Sequence, residues 1–370
     1  YQLSQSTGEH LGDGFVVLAA VATVIMLAYR LSANWLERRL RLPTAEMMVA
    51  AHIHWVVASL LMVWAGWLVS RAGVGQVLPG LGVGLVLILY SLAQGRSSSS
   101  SLRAFWIYSG LTEIVGWFAY WRLAVPTLGW LDDWWVGIAC GFGVLFYWGP
   151  WQRYGWSQLE WQRFAIALPI AITLLTGSGE HLPSLIMLVG FYGLLAWRER
   201  SVRLSYLSVA AMVWTAWTGL EIYAISDQLA YVLPLGLAGL YAAQLDPGLE
   251  SAENQAGRHW LRLFSLAIIL FVALFSERWT GLPVGIVSLL VIALGLWLKV
   301  RAYLFTATLV FALNGLNQLI WLNSEYPLMK WVLGFVVGIG LIWVAANFER
   351  RRQQWSDLTQ TWFQQLQTWE

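Results

Sequence analysis

Few side chains in this sequence can do chemistry, and their spacing limits what that chemistry can be. Glu113 stands ten residues inside a predicted apolar helix over 103–123, beside Thr112. A carboxyl at membrane depth is costly and marks a functional position. Its uses there are as a proton relay, a cation site or a pigment partner. The plainer use is a protonated or hydrogen-bonded carboxyl holding a helix interface together. Glu221 falls near the outer end of a predicted helix over 203–224, within reach of water. Asn314 and Asn317 share a helix face through their i, i+3 spacing, which suits hydrogen bonding between helices at least as well as a ligand set. His52 and His54 are two residues apart, about 200° around a helix, so they cannot hold one metal ion together. A bis-histidine haem needs a second axial His on a facing helix, and no other His falls clearly within a predicted span, His181 and His259 standing at the ends of theirs. One imidazole suffices for the magnesium of a chlorin, so either His is a pigment-ligand candidate. The alternative is an ordinary interface histidine.

No catalytic or metal-binding constellation accompanies these residues. The sequence contains no Walker loop, GxGxxG fingerprint, CxxC pair or HExxH helix, and Cys140 is its one cysteine. Asp132 and Asp133 are adjacent in a predicted outer loop, where carboxylates solvate helix ends. His181, Glu180 and His259 fall in predicted turns and read as solvated. Basic residues come in short clusters between apolar runs and make no nucleic-acid footprint. The connections are too short for a catalytic domain. An enzyme is the weakest functional class, and no metal is expected.

The elements that must position these residues are membrane helices. In 370 residues, Lys and Arg number 22 and Asp and Glu 20, so charged side chains make up 11%, against about 25% in an ordinary soluble domain. Hydrophobic residues reach 58% and there are 26 Trp. No globule of this size hides that much apolar surface from water. The chain begins at Tyr1, which reads as part of a longer or processed product. Its first apolar run follows Glu9 and Asp13 with no positive flank, so a signal peptide is a poor reading. Apolar runs long enough for a span predict thirteen helices: 14–31, 47–69, 76–94, 103–123, 132–150, 162–177, 181–197, 203–224, 228–244, 259–276, 280–298, 302–323 and 326–347.

Charge alternation gives an orientation. With the N-terminus outside, the inner connections hold Arg30, Arg38, Arg39, Arg41, Arg96, Arg103, Arg153, Arg163, Arg198, Arg200, Arg203, Arg258, Arg262, Lys299, Arg301 and Arg350 to Arg352, which is 18 of the 22 basic residues. Arg71, Arg122, Arg278 and Lys330 stay outside. The expected topology is N-out, C-in. Tryptophans such as Trp35, Trp197 and Trp297 at inner ends, and Trp64, Trp130 and Trp321 at outer ends, suit interfacial anchoring. The sharper reading of the Trp excess is stacking against a ring-shaped pigment or lipid.

Three segments share a pattern of Leu-Pro, helix, basic turn, Arg-initiated helix and acidic turn. The Leu-Pro pairs are Leu78-Pro79, Leu182-Pro183 and Leu282-Pro283; the arginines are Arg103, Arg203 and Arg301; the acidic turns are at Asp132, Asp227 and Glu325. Adding the helix before each Leu-Pro gives units over 46–157, 158–257 and 258–349, following an N-terminal tail, first helix and basic loop over 1–45. Units of four helices enter the membrane the same way round, as parallel repeats about an axis along the membrane normal. Chance similarity among apolar helices is the alternative. In the tail over 350–370, Trp355, Leu358, Trp362, Leu366 and Trp369 recur at spacings of three and four, an amphipathic helix for the membrane surface or a partner.

The stretch Leu296 to Leu322, LWLKVRAYLFTATLVFALNGLNQLIWL, and its continuation KWVLGFVVGIGLIWVAANFERRR into the Trp- and Gln-rich tail carry a resemblance. Over about 290–370 the chain looks like the C-terminal region of large uncharacterised multi-pass membrane proteins of cyanobacteria, loosely similar to the DUF2157-type group. The resemblance assigns no activity and no residue a role. It implies a longer parent chain in a photosynthetic cell, in its thylakoid or plasma membrane.

The expected fold is therefore an all-α polytopic membrane bundle of about 13 transmembrane helices, with three parallel repeats, one extra helix and an amphipathic C-terminal helix. The first functional expectation is a non-enzymatic scaffold or accessory subunit of a larger membrane assembly, which the resemblance associates with photosynthesis. Its partners would be membrane lipids and other membrane-protein subunits, with no nucleic acid. The alternatives are a transporter or channel with a polar site around Glu113, Asn314 and Asn317, His54 lending a further group, and a pigment-binding protein using chlorophyll on His52 or His54.

Overall fold

The computed structural model describes residues 2–40, 43–72, 77–97, 100–176, 181–251, 253–276, 279, 281–325 and the single positions 331, 335, 338, 339 and 342. The predicted tail helix with Trp355, Trp362 and Trp369, and most of the thirteenth predicted span, lie outside these residues.

Among the described residues there is no strand, and the chain runs through twelve α-helices. These are α1 (Gln2–Leu40), α2 (Thr44–Ala72), α3 (Val77–Ser97), α4 (Ser100–Ala124), α5 (Trp135–Trp148), α6 (Gln158–Thr176), α7 (Leu182–Glu199), α8 (Val202–Ile222), α9 (Gln228–Leu245), α10 (Gln255–Phe275), α11 (Leu282–Leu298) and α12 (Arg301–Glu325). Each of the first twelve predicted spans falls on one of them. Among the described residues, six segments are both long and apolar enough to cross a membrane: Gly12–Ala33, Thr44–Val69, Val77–Arg96, Gln228–Leu245, Gln255–Phe275 and Arg301–Trp321. At 1.5 Å per residue, about 20 residues cover the roughly 30 Å of a hydrocarbon core. Leu282–Leu298 is also apolar but shorter. Such helices are what an integral membrane protein requires.

Two helices depart from their predicted limits for local reasons. Helix α1 continues far beyond the apolar run 14–31, because the rule for a span counts hydrophobicity and the flanking Gln, Glu, Leu and Arg residues remain good helix formers. Helix α5 is shorter than the predicted 132–150. Pro126 starts a 3-10 segment over Pro126–Trp134, and Gly149, lying before Pro150, turns extended with ψ 141°, as a residue preceding proline prefers.

Contacts divide the chain into two units, Tyr1–Leu188 and Val189–Glu370, with the division inside α7. In the first, α1 lies against α2 and α3, α4 lies against α2 and α3, and α6 contacts α5 and α4. Small residues let α1 and α2 approach: Ala19, Ala22, Ala51 and Ala58 are buried with Trp55, Leu87 and Trp106 in one core. In the second unit α9 joins α8 to α10, and α10 and α11 both contact α12. Its core holds Leu266, Leu270, Val284, Ala307 and Val310. Helices α9 and α10 touch through glycine: a Cβ on Gly236 would come within 2.9 Å of the Ser265 carbonyl oxygen.

The three Leu-Pro pairs all lie in first turns, of α3, α7 and α11, where a missing N–H costs little. Arg103, Arg203 and Arg301 lie in the first turns of α4, α8 and α12. Several indoles act as ties. Trp156 Nε1 donates to Leu92 O at 2.8 Å, and Trp151 stacks on Trp161 with ring centres 3.6 Å apart. Others, including Trp35, Trp130, Trp197 and Trp297, are largely exposed.

Candidate functional site

Glu113 sits midway along α4 and is met by one serine from each of two neighbouring helices. Ser59 of α2 donates to Oε1 at 2.8 Å, and Ser91 of α3 approaches Oε2 at 2.5 Å. Ser91 Oγ also lies 2.8 Å from Leu87 O, so its one proton is shared between two acceptors. Three helices therefore converge on a single carboxyl, which suits a group that would otherwise be a buried charge without partners.

Beside this cluster runs a groove of 690 Å³ between α2, α3 and α4. That volume lies within the range of about 300–1,000 Å³ typical of small-molecule sites. Trp55, Ser59, Tyr108, Glu113 and Trp117 are among its lining residues, and aliphatic side chains form much of the remainder. Glycines shape it in two ways. A Cβ on Gly84 would strike the Trp117 ring, whereas Gly66 and Gly116 face open space, with nothing within 4 Å of a Cβ. Trp117 is held by its indole N–H on Leu81 O at 2.9 Å. The Trp55 side chain is buried in the core, with its indole N–H beside the Glu113 carboxyl.

The histidines are close to this region but separately engaged. His52 Nδ1 pairs with the Tyr90 hydroxyl at 2.8 Å, and its ring lies 4.6 Å from that of Trp106. His54 Nδ1 lies 2.8 Å from Ala50 O, one turn back on the same helix. A carbonyl only accepts, so Nδ1 carries the proton and Nε2 of the neutral ring keeps its lone pair. Tyr29 of α1 lies against His54 with ring centres 5.7 Å apart. The two imidazoles diverge, as their spacing predicts.

The remaining candidates belong to the second unit. Asn314 of α12 is buried and fully occupied in the second unit: Nδ2 donates to Gly281 O at 2.8 Å, and Oδ1 accepts from Gly281 N at 3.2 Å. Gly281 has φ +88° and ψ −129°, a conformation reserved for glycine, and Asn314 pins this turn at the start of α11. Asn317 is exposed, so the two asparagines share neither environment nor partner. Glu221 is exposed near the end of α8. Ser59, Ser91, Trp55 and Gly281 are the residues that sequence reasoning missed. Serines in the middle of apolar spans were the available signal for the first two.

Charged groups in the connections are tied locally. Arg122 donates to both Asp132 oxygens, at 2.8 Å from Nε and 2.6 Å from Nη2, and this holds the Asp132 carboxyl below the ordinary value of 3.8. Asp246, at the end of α9, is likewise held low, first by the Tyr206 hydroxyl at 2.7 Å and then by Gly248 N–H. Among the described residues no three His, Cys, Asp or Glu side chains come together as a metal site. Comparison with protein-family models, curated proteins and solved structures found no match.

Proposed function

We propose that this chain is a non-enzymatic integral membrane scaffold or accessory subunit of a larger membrane assembly. The observation that carries the reading is the apolar outer surface of the helices. Val17, Leu18, Val21 and Val24 on α1, and Ile286, Leu289 and Leu290 on α11, remain more than 40% exposed. Surfaces of this kind call for lipid or a protein partner. Several polar side chains inside the units are closed on backbone: Thr23 on Ala19 O, Thr173 on Pro169 O, Ser208 on Val189 O and Asn314 on Gly281. That pattern suits helix packing better than a hydrated path. The N-out, C-in topology, the parallel units over 46–157, 158–257 and 258–349, and the interfacial tail belong to this proposal. So does a thylakoid or plasma-membrane setting, which rests on the resemblance of the C-terminal region.

A transporter is the second reading, and the Glu113 carboxyl beside an open groove favours it. Glu113→Gln separates the two. It keeps the side chain's size and a carbonyl to accept from a serine but removes the exchangeable carboxyl proton. A scaffold keeps its level in the membrane and its assembly; a proton-coupled carrier loses transport-dependent growth or flux. Loss of such flux with assembly intact contradicts the scaffold reading. The engagement of His54 through Nδ1 leaves Nε2 as the nitrogen for pigment ligation, and purified protein without visible absorbance removes that reading.

A further inference from the structure

Aromatic and aliphatic side chains line the groove between α2, α3 and α4 from end to end, and its one charged side chain is an acid. Along α4 the lining runs from Phe105 to Leu123. Glu113 stands near the middle, about 12 Å of helix from Phe105 and about 10 Å from Tyr120 at 1.5 Å per residue. Phe105 and Tyr108 precede it in the helix, and Trp117 and Tyr120 follow it. Trp55 of α2 lies against Phe105, with ring centres 6.3 Å apart. Aromatic faces carry the negative side of the ring quadrupole and attract a cation that has left water. The carboxyl itself is met by the hydroxyls of Ser59 and Ser91 and by the Trp55 N–H. These are neutral donors, so they engage its oxygens without cancelling a negative charge. Among the described residues that line the groove, none is Lys, Arg or His. A carboxylate in an apolar wall is costly unless an opposite charge meets it, and the groove leaves that place to an occupant. A metal ion suits it poorly. The serines turn protons towards the carboxyl, and among the described residues no three metal-ligating side chains come together. A positive centre carried on an apolar body matches the acid and the rings alike.

We propose that this groove binds a lipophilic organic cation, an amine or quaternary ammonium, with its positive centre beside Glu113 and its apolar substituents against the rings of Tyr108 and Trp117. The proposal goes beyond the scaffold reading and does not rest on it, since binding requires no passage across the membrane. Gly66 and Gly116 leave room for the substituents, with nothing within 4 Å of a Cβ at either. Protonation is the other way to neutralise the carboxyl. A carboxyl that stays protonated would make cation affinity indifferent to an amide in its place, and this separates the two.

The test uses the full chain purified in mild detergent and two probes, tetraphenylphosphonium and tetraphenylborate, which match in size and shape and differ in the sign of their charge. Binding of each is measured by equilibrium dialysis, with detergent alone as the blank. The expected result is saturable binding of about one tetraphenylphosphonium per chain, with tetraphenylborate bound about ten-fold more weakly or not at all. Glu113→Gln keeps the size of the side chain and removes the charge, and should weaken binding of the cation about ten-fold, the effect of losing one charged contact. Tyr108→Leu removes a ring face and should weaken it about three-fold. The comparison of the two probes needs no variant, so it tests the charge preference even if a substituted chain fails to fold. The proposal is overturned by tetraphenylborate bound as tightly as the cation, by cation binding that is absent or unchanged in Glu113→Gln, or by a partner polypeptide cross-linked into the groove.

Discussion

At the residue scale, Asn314 and Glu113 show two fates for a polar side chain in an apolar helix. Asn314 closes a turn with both ends of its amide on Gly281. Replacing it by Ala leaves the buried Gly281 N–H unpaired, while Gly281 O keeps the Gly285 N–H at 3.0 Å, so Asn314→Ala should cost about 1–3 kcal/mol. Asn317→Ala, on an exposed side chain, should stay within about 0.5 kcal/mol. Thermal unfolding in detergent compares the two, and equal effects would contradict the assignment. Glu113 was recognisable in the sequence as an ionisable group far from either helix end. Its partners were not, because Ser59 and Ser91 lie 54 and 22 residues away, and only the packing of α2 and α3 against α4 brings them in. The Arg122–Asp132 pair gives a pH-dependent prediction. The folded carboxyl titrates below 3.8, so its stabilisation is complete above that value and is lost as pH falls through the lowered one. With Asp132 52% exposed, the pair is worth at most about 1 kcal/mol. Asp132→Asn should therefore lower the unfolding temperature slightly at pH 7, with a difference that shrinks as pH is taken below 3.8. A difference that grows on acidification would refute the sign.

At the scale of elements, apolar run length located the first twelve helices, since a run of that length has no other stable form in lipid. The limits of α1 and α5 escaped it. One depends on helix propensity outside the apolar run, the other on Pro126 and Pro150. Helix-to-helix contacts were not legible either, because a glycine at a crossing looks like any other glycine in sequence. In α9, Gly239 carries the tightest of them: a Cβ there would lie 2.1 Å from Ser265 Oγ of α10. Gly239→Leu should force these helices apart at a cost of about 1–3 kcal/mol. Gly66→Ala, which adds its methyl to open space, should leave the unfolding temperature nearly unchanged. The same melting experiment checks both, and a tolerated Gly239→Leu would mean that α9 and α10 are not in close contact.

For the whole molecule, composition alone identified the class, because 58% hydrophobic residues with 11% charged cannot make a water-soluble chain of 370 residues. The grouping of helices was beyond it. Helix α1, set apart from the three four-helix units by the Leu-Pro pattern, lies in close contact with α2 and α3, and contacts of that kind depend on complementary faces that hydrophobicity does not record. Outer faces such as those of α1 and α11 remain apolar and exposed, and the scaffold proposal assigns them to lipid and to another subunit. The most direct test is the mass-spectrometric composition of the particle extracted gently from its native membrane. The proposal predicts this chain in fixed stoichiometry with the subunits of a larger complex. Recovery of the chain alone, or only with further copies of itself, would contradict it and turn attention to transport at Glu113.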